Sequence, residues 1–194
     1  MEQEIQDVSI KRIQEALPLL KGIENDLIID YTEYSMPNDK HPIHRYPIRF
    51  DGLYIGLREK GEARFSINLK EFNVGSNDLV ICSPGDLVQA SLQDGIHLVQ
   101  SMMVSSHFLK EMYISLNSFM PFFASQKEHP VFHLTDSEMA ELKNYFMLIK
   151  ENVTSDDYFR VDTTKRLLAA YLYKLGSILY RHRPELQAEA AKPL

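Results

Sequence analysis

The chain has 194 residues, 44% hydrophobic and 25% charged, enough to bury a core in one domain, or in one domain with a helical annex. Its net charge of −6 argues against a phosphate-backbone footprint, and its one cysteine, Cys82, excludes an internal disulfide. The acidic start MEQEIQDVSIKR lacks the apolar stretch of a secretory signal, and no run approaches the roughly 20 apolar residues that cross a bilayer, so a soluble, cytoplasmic protein without a membrane partner is expected.

In chain order, Ile10, Ile13, Leu17 and Leu20 step by three and four, which predicts a short helix capped by Ser9 and ending near Pro18. From Asp26 to about Ser105 the period becomes two. LIIDYTEY, RFDGLYIGLRE, ARFSINLKEF, DLVICS, LVQASLQ and HLVQSMMVS read as strands, divided by Lys60-Gly61, Gly75-Ser76-Asn77, Pro84-Gly85 and Asp94-Gly95. Residues 49–72 read as two neighbouring strands about a glycine turn. In the second of them Phe65, Ile67 and Leu69 alternate with Arg64, Ser66, Asn68 and Lys70, giving one apolar and one polar face. Several short strands at regular spacing predict a sandwich or barrel.

After Ser106 the helical period returns. HFLKEMYISL and SFMPFF read as short helices, with Pro121 breaking the run. Thr135 and Glu138 have the spacing of a capping box, and Met139, Leu142, Phe146, Ile149 and Val153 form a seam behind them. The last helix runs from about Tyr158 to Arg183 and is stopped by Pro184, with acidic residues at its start and basic ones at its end. Its first stripe is Leu168, Leu172, Leu175 and Leu179. A second stripe, Ala169, Tyr173, Gly176 and Tyr180, lies beside it, and the two can bury against two different bodies. Leu168, Ala169, Leu172, Tyr173, Gly176 and Tyr180 are therefore the expected dimerisation residues. The tail QAEAAKPL reads as a linker.

The candidate chemistry is that of a binding site. A metal held between strands needs a His-x-His pair with a nearby Glu and a further His, because alternate residues share one face of a strand. Here His41 and His44 are three apart in a proline-containing loop, His129 and His133 flank Pro130, and His97 stands alone, so neither a metal nor a cofactor is expected. No Gly-x-Ser-x-Gly elbow, Walker loop or Gly-x-Gly-x-x-Gly occurs, and Cys82 in LVIC reads as a small core residue, so no catalytic residue is assigned. A small-molecule pocket needs a few directed polar groups in an apolar shell. Arg49, Tyr54, Gln89 and Gln100 are such groups on otherwise apolar strands, with Met102 beside them, and these five are the expected ligand contacts. Arg64 and Asn68 read as a solvated face.

The stretch FDGLYIGLREKGEARFSINLKEFNVGSNDLVICSPGDLVQ resembles the sensor half of AraC-type transcription regulators, in the form seen in Bacteroides and its relatives. The residues that carry the likeness are Gly52, Gly61, Gly75, Asp78, Leu79, Pro84 and Gly85, together with the order of strands followed by a helix pair, over residues 5–183. The resemblance implies an α+β fold. A degenerate cupin-like double-stranded β-helix, or jelly-roll barrel, would occupy 1–105, an antiparallel pair of long helices for dimerisation 106–183, and a linker or tail 184–194. It implies a non-enzyme that binds a small-molecule effector, forms a homodimer and meets DNA only through a helix-turn-helix domain absent from this chain. The chain has no tryptophan, so a sugar-stacking pocket is not carried over. The alternative is a metal-dependent cupin enzyme acting on a small substrate. A cyclic-nucleotide sensor is disfavoured, because no arginine or lysine lies between Asp78 and Ser105 to hold the cyclic phosphate.

Overall fold

A computed structural model describes residues 6–34, 42–112 and 129–182. SFMPFF, the end of HFLKEMYISL and the tail QAEAAKPL lie outside the described residues.

Eleven described strands fall into two sheets. β1 (Gln6–Val8), β4 (Ile48–Phe50), β6 (Ala63–Ile67), β7 (Lys70–Val74) and β9 (Leu87–Leu92) form one sheet in the order β1-β4-β9-β6-β7. β2 (Lys21–Ile23), β3 (Leu27–Tyr34), β5 (Gly52–Lys60), β8 (Asp78–Cys82), β10 (His97–Ser105) and β11 (Val131–His133) form the other, in the order β11-β8-β5-β10-β3-β2. All described pairs are antiparallel except β1 with β4. The fold is α+β, a two-sheet roll of the jelly-roll kind followed by helices. No described strand pair bridges the sheets, so the roll is an open sandwich rather than a closed barrel.

Two predicted strands are built differently from the expectation. β5 and β6 are not neighbours: the chain turns at Gly61 (φ +83°) and crosses from one sheet to the other. A side chain there would put its Cβ 2.5 Å from His97 Nδ1 and 2.7 Å from the Ile96 carbonyl oxygen. ARFSINLKEF is a hairpin, not one strand. Asn68 (φ 49°) and Leu69 (φ 68°) make its two-residue turn, as tight hairpins require. Leu69 thus sits 84% exposed at the tip, and the apolar alternation ends at Ile67. Asn68 anchors the turn: its Nδ2 donates to Asp86 Oδ1 at 2.8 Å and its Oδ1 accepts from the Leu87 N–H at 3.0 Å.

Five helices are described: α1 (Ile10–Ala16), α2 (Pro42–Arg45), α3 (Ser106–Glu111), α4 (Asp136–Val153) and α5 (Arg160–Arg181). Ser9 caps α1, its hydroxyl accepting from the Arg12 N–H at 3.3 Å. Thr135 and Glu138 form the expected capping box on α4. α4 and α5 are antiparallel. Glu138 of the first turn of α4 meets Arg181 and His182 at the end of α5, Glu141 pairs with Lys174, and Asn152 Nδ2 donates to Thr164 Oγ1 at 2.7 Å.

The six-stranded sheet is covered on both faces. Leu53, Ile55, Leu57, Met102 and Val104 pack with Leu142, Phe146, Ile149, Leu168, Leu172 and Leu175 of the helix pair. The opposite face packs Ile28, Val80, Cys82 and Met103 against Phe50, Phe65, Ile67 and Val88 of the five-stranded sheet. Burial pushes the Cys82 thiol up, which keeps it protonated and unreactive. β5 therefore runs between two cores, each reading alternate residues of the strand.

Candidate ligand-binding cavity

Between the sheets lies a cavity of about 500 Å³. That is within the range of roughly 300–1,000 Å³ usual for small-molecule sites. One wall is the interior face of β3, β10 and β5. Register places Asp30, Ser101 and Gly56 in one row across these strands, and Thr32, Val99 and Arg58 in the next. The facing wall is Phe65 of β6 with Ala90 and Leu92 of β9, and the lid is the segment 16–20 after α1 with Ile43 and His44 of α2.

The polar groups of the cavity are held in place. Arg58 is 3% exposed, and its Nη1 donates to His97 Nδ1 at 3.0 Å and to the Lys60 carbonyl at 3.4 Å. His97 is fully buried, and its Nε2 lies 2.6 Å from the Gln93 carbonyl. A carbonyl only accepts, so the proton is on Nε2 and Nδ1 is left to receive Arg58. His44 Nδ1 donates in the same way to the Ala90 carbonyl at 3.1 Å, tying α2 to the facing wall. Thr32 Oγ1 donates to Asp30 Oδ1 at 2.7 Å. Tyr54 and Phe65 stack across the two sheets, 6.4 Å between centroids and 30° between planes. Gly56 leaves room for this: a Cβ there would lie 2.5 Å from the Tyr54 hydroxyl.

The sequence-derived contacts divide. Tyr54 lines the cavity. Arg49 is on the outer side of β4, with its Nη1 3.8 Å from Asp7 Oδ1. Gln89 is on the outer side of β9, in a shallow groove with Arg64 and Ser66. Gln100 and Met102 are buried on the back of the cavity wall, facing α4 and α5. The structure thus separates four of the five from the cavity. It brings in Arg58, Asp30, Thr32 and His44 instead.

Behind the wall, Gln100 belongs to a polar cluster. Glu59 Oε1 accepts from Gln100 Nε2 at 2.5 Å and its Oε2 accepts from Lys143 Nζ at 2.8 Å. Lys143 Nζ also donates to the Tyr31 hydroxyl at 2.7 Å and sits 5.1 Å from the centre of that ring. Burial raises the Glu59 carboxyl, but the bonds from Lys143, Gln100 and Tyr31 outweigh it and leave the group below its ordinary value. The cluster fastens α4 to β5 across an otherwise apolar interface.

Of the six residues expected to make a dimer, Leu168, Leu172 and Gly176 are buried within the subunit, and Leu168 and Leu172 belong to its core. Ala169 is half-buried, and Tyr173 and Tyr180 are 51% and 37% exposed. Among the described residues no three His, Cys, Asp or Glu side chains gather as metal ligands, and no helix is long and apolar enough to cross a membrane.

No family model and no curated protein matches this chain. Solved structures with a related arrangement include the AraC-like transcriptional activator CuxR, with 16% identity, 76% of this chain and 52% of that one covered, and a TM-score of 0.43. ToxT from Vibrio cholerae gives 10% identity, 77% and 55% coverage and a TM-score of 0.41. A cupin barrel protein from Leptotrichia buccalis gives 12% identity, 43% and 38% coverage and a TM-score of 0.35. The chain spans about half the length of the two regulators. All three TM-scores are below 0.5.

Proposed function

We propose that this chain is the effector-sensing and dimerisation part of an AraC-type transcription regulator, with the sensing roll over 1–105 and the helical segment over 106–183. The observation that carries the reading is the cavity of about 500 Å³ whose wall strand, β5, is also the strand to which the helix pair is fastened. The order of strands and helices, with Gly52 and the turn residues Gly61, Gly75, Pro84 and Gly85, supports the family.

In this reading a small molecule enters under the lid formed by 16–20 and α2 and meets Arg58 and Tyr54. Binding favours one arrangement of β5 and the helix pair over another, which is a population shift. A second copy docks along the outer face of the helix pair, where Met147, Leu148, Tyr173 and Tyr180 are exposed. DNA is met only through a further domain. The direct test is to read the coding frame past the codon for Leu194. A basic segment with two helix-turn-helix patterns is expected, and a stop codon there would remove DNA from the account.

A further inference from the structure

We infer that the cavity takes a small primary amine, its ammonium received by Asp30 and Ser101 at the mouth and its apolar body lying between Tyr54, Phe65 and the lid. The inference rests on the reading of the cavity as an effector site and names the chemistry of what enters it.

Two side chains of the lining carry the argument. Asp30 of β3 and Ser101 of β10 are direct register partners, and both line the cavity. Side chains so placed stand about 5 Å apart at Cβ. Among the described residues Asp30 has one side-chain hydrogen bond, which its Oδ1 accepts from Thr32, and the Ser101 hydroxyl has none. No cationic side chain of the described residues pairs with Asp30. The carboxylate therefore presents Oδ2, and the hydroxyl its lone pairs, to one spot on the wall. An ammonium has three N–H donors and no acceptor, so it satisfies both groups at once. It also supplies the counter-charge that a half-buried carboxylate otherwise lacks.

The position of the pair sets how the ligand lies. β2 pairs with β3 only as far as Ile29, so Asp30 follows on an uncovered edge of the sheet, reachable from solvent. Gly56 continues the row inward from Ser101, and the Tyr54 hydroxyl lies over it. Beyond stand Phe65, Ala90 and Leu92 of the facing wall, with Leu17 and Ile43 of the lid. From Asp30 to β5 is two strands, roughly 10 Å, the reach of an arylethylamine or a medium-chain alkylamine. Arg58 is 3% exposed and bonded to His97 and the Lys60 carbonyl, and an ammonium held at Asp30 stays clear of it.

The same surroundings disfavour amino acids. An α-amino acid carries a carboxylate two bonds from its ammonium. With the ammonium on Asp30, that carboxylate stands beside a like charge and among Thr32, Ser101 and Gly56, none of them cationic. The amine is thus favoured over the amino acid of the same side chain, and over the alcohol of the same skeleton, which brings no charge.

The test is calorimetry and ligand-observed NMR at neutral pH with phenethylamine, hexylamine and octylamine. Each is paired with the alcohol of the same skeleton, and phenethylamine also with phenylalanine. Such amines are protonated there, as lysine is. The expected result is at least one amine binding about tenfold or more tightly than its alcohol, as a charged hydrogen bond implies. Phenethylamine should also outbind phenylalanine. Asp30→Asn should erase the advantage of amine over alcohol and keep the affinity for alcohol, which also reports a folded variant. Ser101→Ala should weaken amine binding severalfold, and an unchanged affinity would remove Ser101 from the site. The comparison of amine with alcohol on the unaltered protein does not depend on either variant folding. Alcohols binding as well as amines, or an advantage that survives Asp30→Asn, would overturn the inference and leave the sensor reading standing. Phenylalanine binding as well as phenethylamine would overturn the exclusion of amino acids. Binding of neither amines nor alcohols would overturn the inference and count against the cavity as an effector site.

Discussion

Arg58 and Glu59 are consecutive on β5 and serve opposite faces of one sheet: Arg58 reaches into the cavity toward His97, and Glu59 reaches back to Lys143 of α4. A strand cannot shift one without shifting the other, because neighbouring residues share a peptide plane. This pair links the cavity wall to α4 within one strand.

The Glu59–Lys143 pair should therefore couple measurably. Both groups are partly screened by solvent, at 18% and 38% side-chain exposure, so a coupling of about 0.5–1.5 kcal/mol is expected. A double-mutant cycle with Glu59→Gln and Lys143→Met, read by urea denaturation, measures it. A cycle that closes within error of zero would remove the pair from the account.

Glu138 gives the helix pair a pH dependence. Burial raises its carboxyl, but bonds from the Thr135 N–H and hydroxyl, His182 and Arg181 outweigh that and bring it from 4.5 to about 2. The folded value lies below the unfolded one, so its contribution is complete above about pH 4.5 and is lost as the pH falls toward about 2. Glu138→Gln should lower stability by about 1–3 kcal/mol at pH 7 and flatten the acid limb of the stability curve. Equal acid sensitivity in the variant would show that other groups carry it.

Gly61→Ala tests the corner between the sheets. The left-handed backbone at φ +83° and the approach of 2.7 Å to the Ile96 carbonyl leave no room for a Cβ. A loss of about 1–3 kcal/mol is expected by thermal or urea unfolding, larger than for Gly85→Ala, where φ is +86° but no atom lies within 4 Å of the added carbon.

Dimerisation is tested by mass. Sedimentation at tens of micromolar should give twice 22.5 kDa, and Leu148→Glu with Tyr173→Glu should shift the chain to monomer without loss of helical signal. A monomeric parent at that concentration would contradict the second-copy interface.

How much of this was legible in the sequence follows from how β5 is buried. The alternation in ARFSI and the seam of Met139, Leu142, Phe146, Ile149 and Val153 announce β6 and α4, since each has one apolar and one polar side. β5 has no polar side. Tyr54 and Arg58 face the cavity while Leu53, Ile55 and Leu57 face the helices, and period alone cannot say which face meets which body. Gln100 reads as a cavity contact because it interrupts an apolar strand, with Met102 close behind, yet the helices pack on their side of β10. Arg58 is hidden because Arg-Glu-Lys at a strand end reads as a solvated terminus, and only the pairing of β10 with β5 brings His97 beside it. The Asn68-Leu69 turn was hidden for a different reason. It contains no glycine, and the bonds that hold Asn68 come from Asp86 and Leu87, residues 18 and 19 positions away.

The central claim is that the cavity in the roll is a ligand site, and a thermal-shift screen of several hundred diverse metabolites tests it most directly when run in parallel on Ser101→Leu. Ser101 lies on the cavity wall between Asp30 and Gly56, so leucine there fills cavity space. The account predicts at least one compound that raises the melting temperature of the parent by several degrees, a gain of the order expected when free ligand exceeds its Kd about a hundredfold, and that fails on the folded variant. No stabilising compound, or one that stabilises both proteins equally, would contradict it.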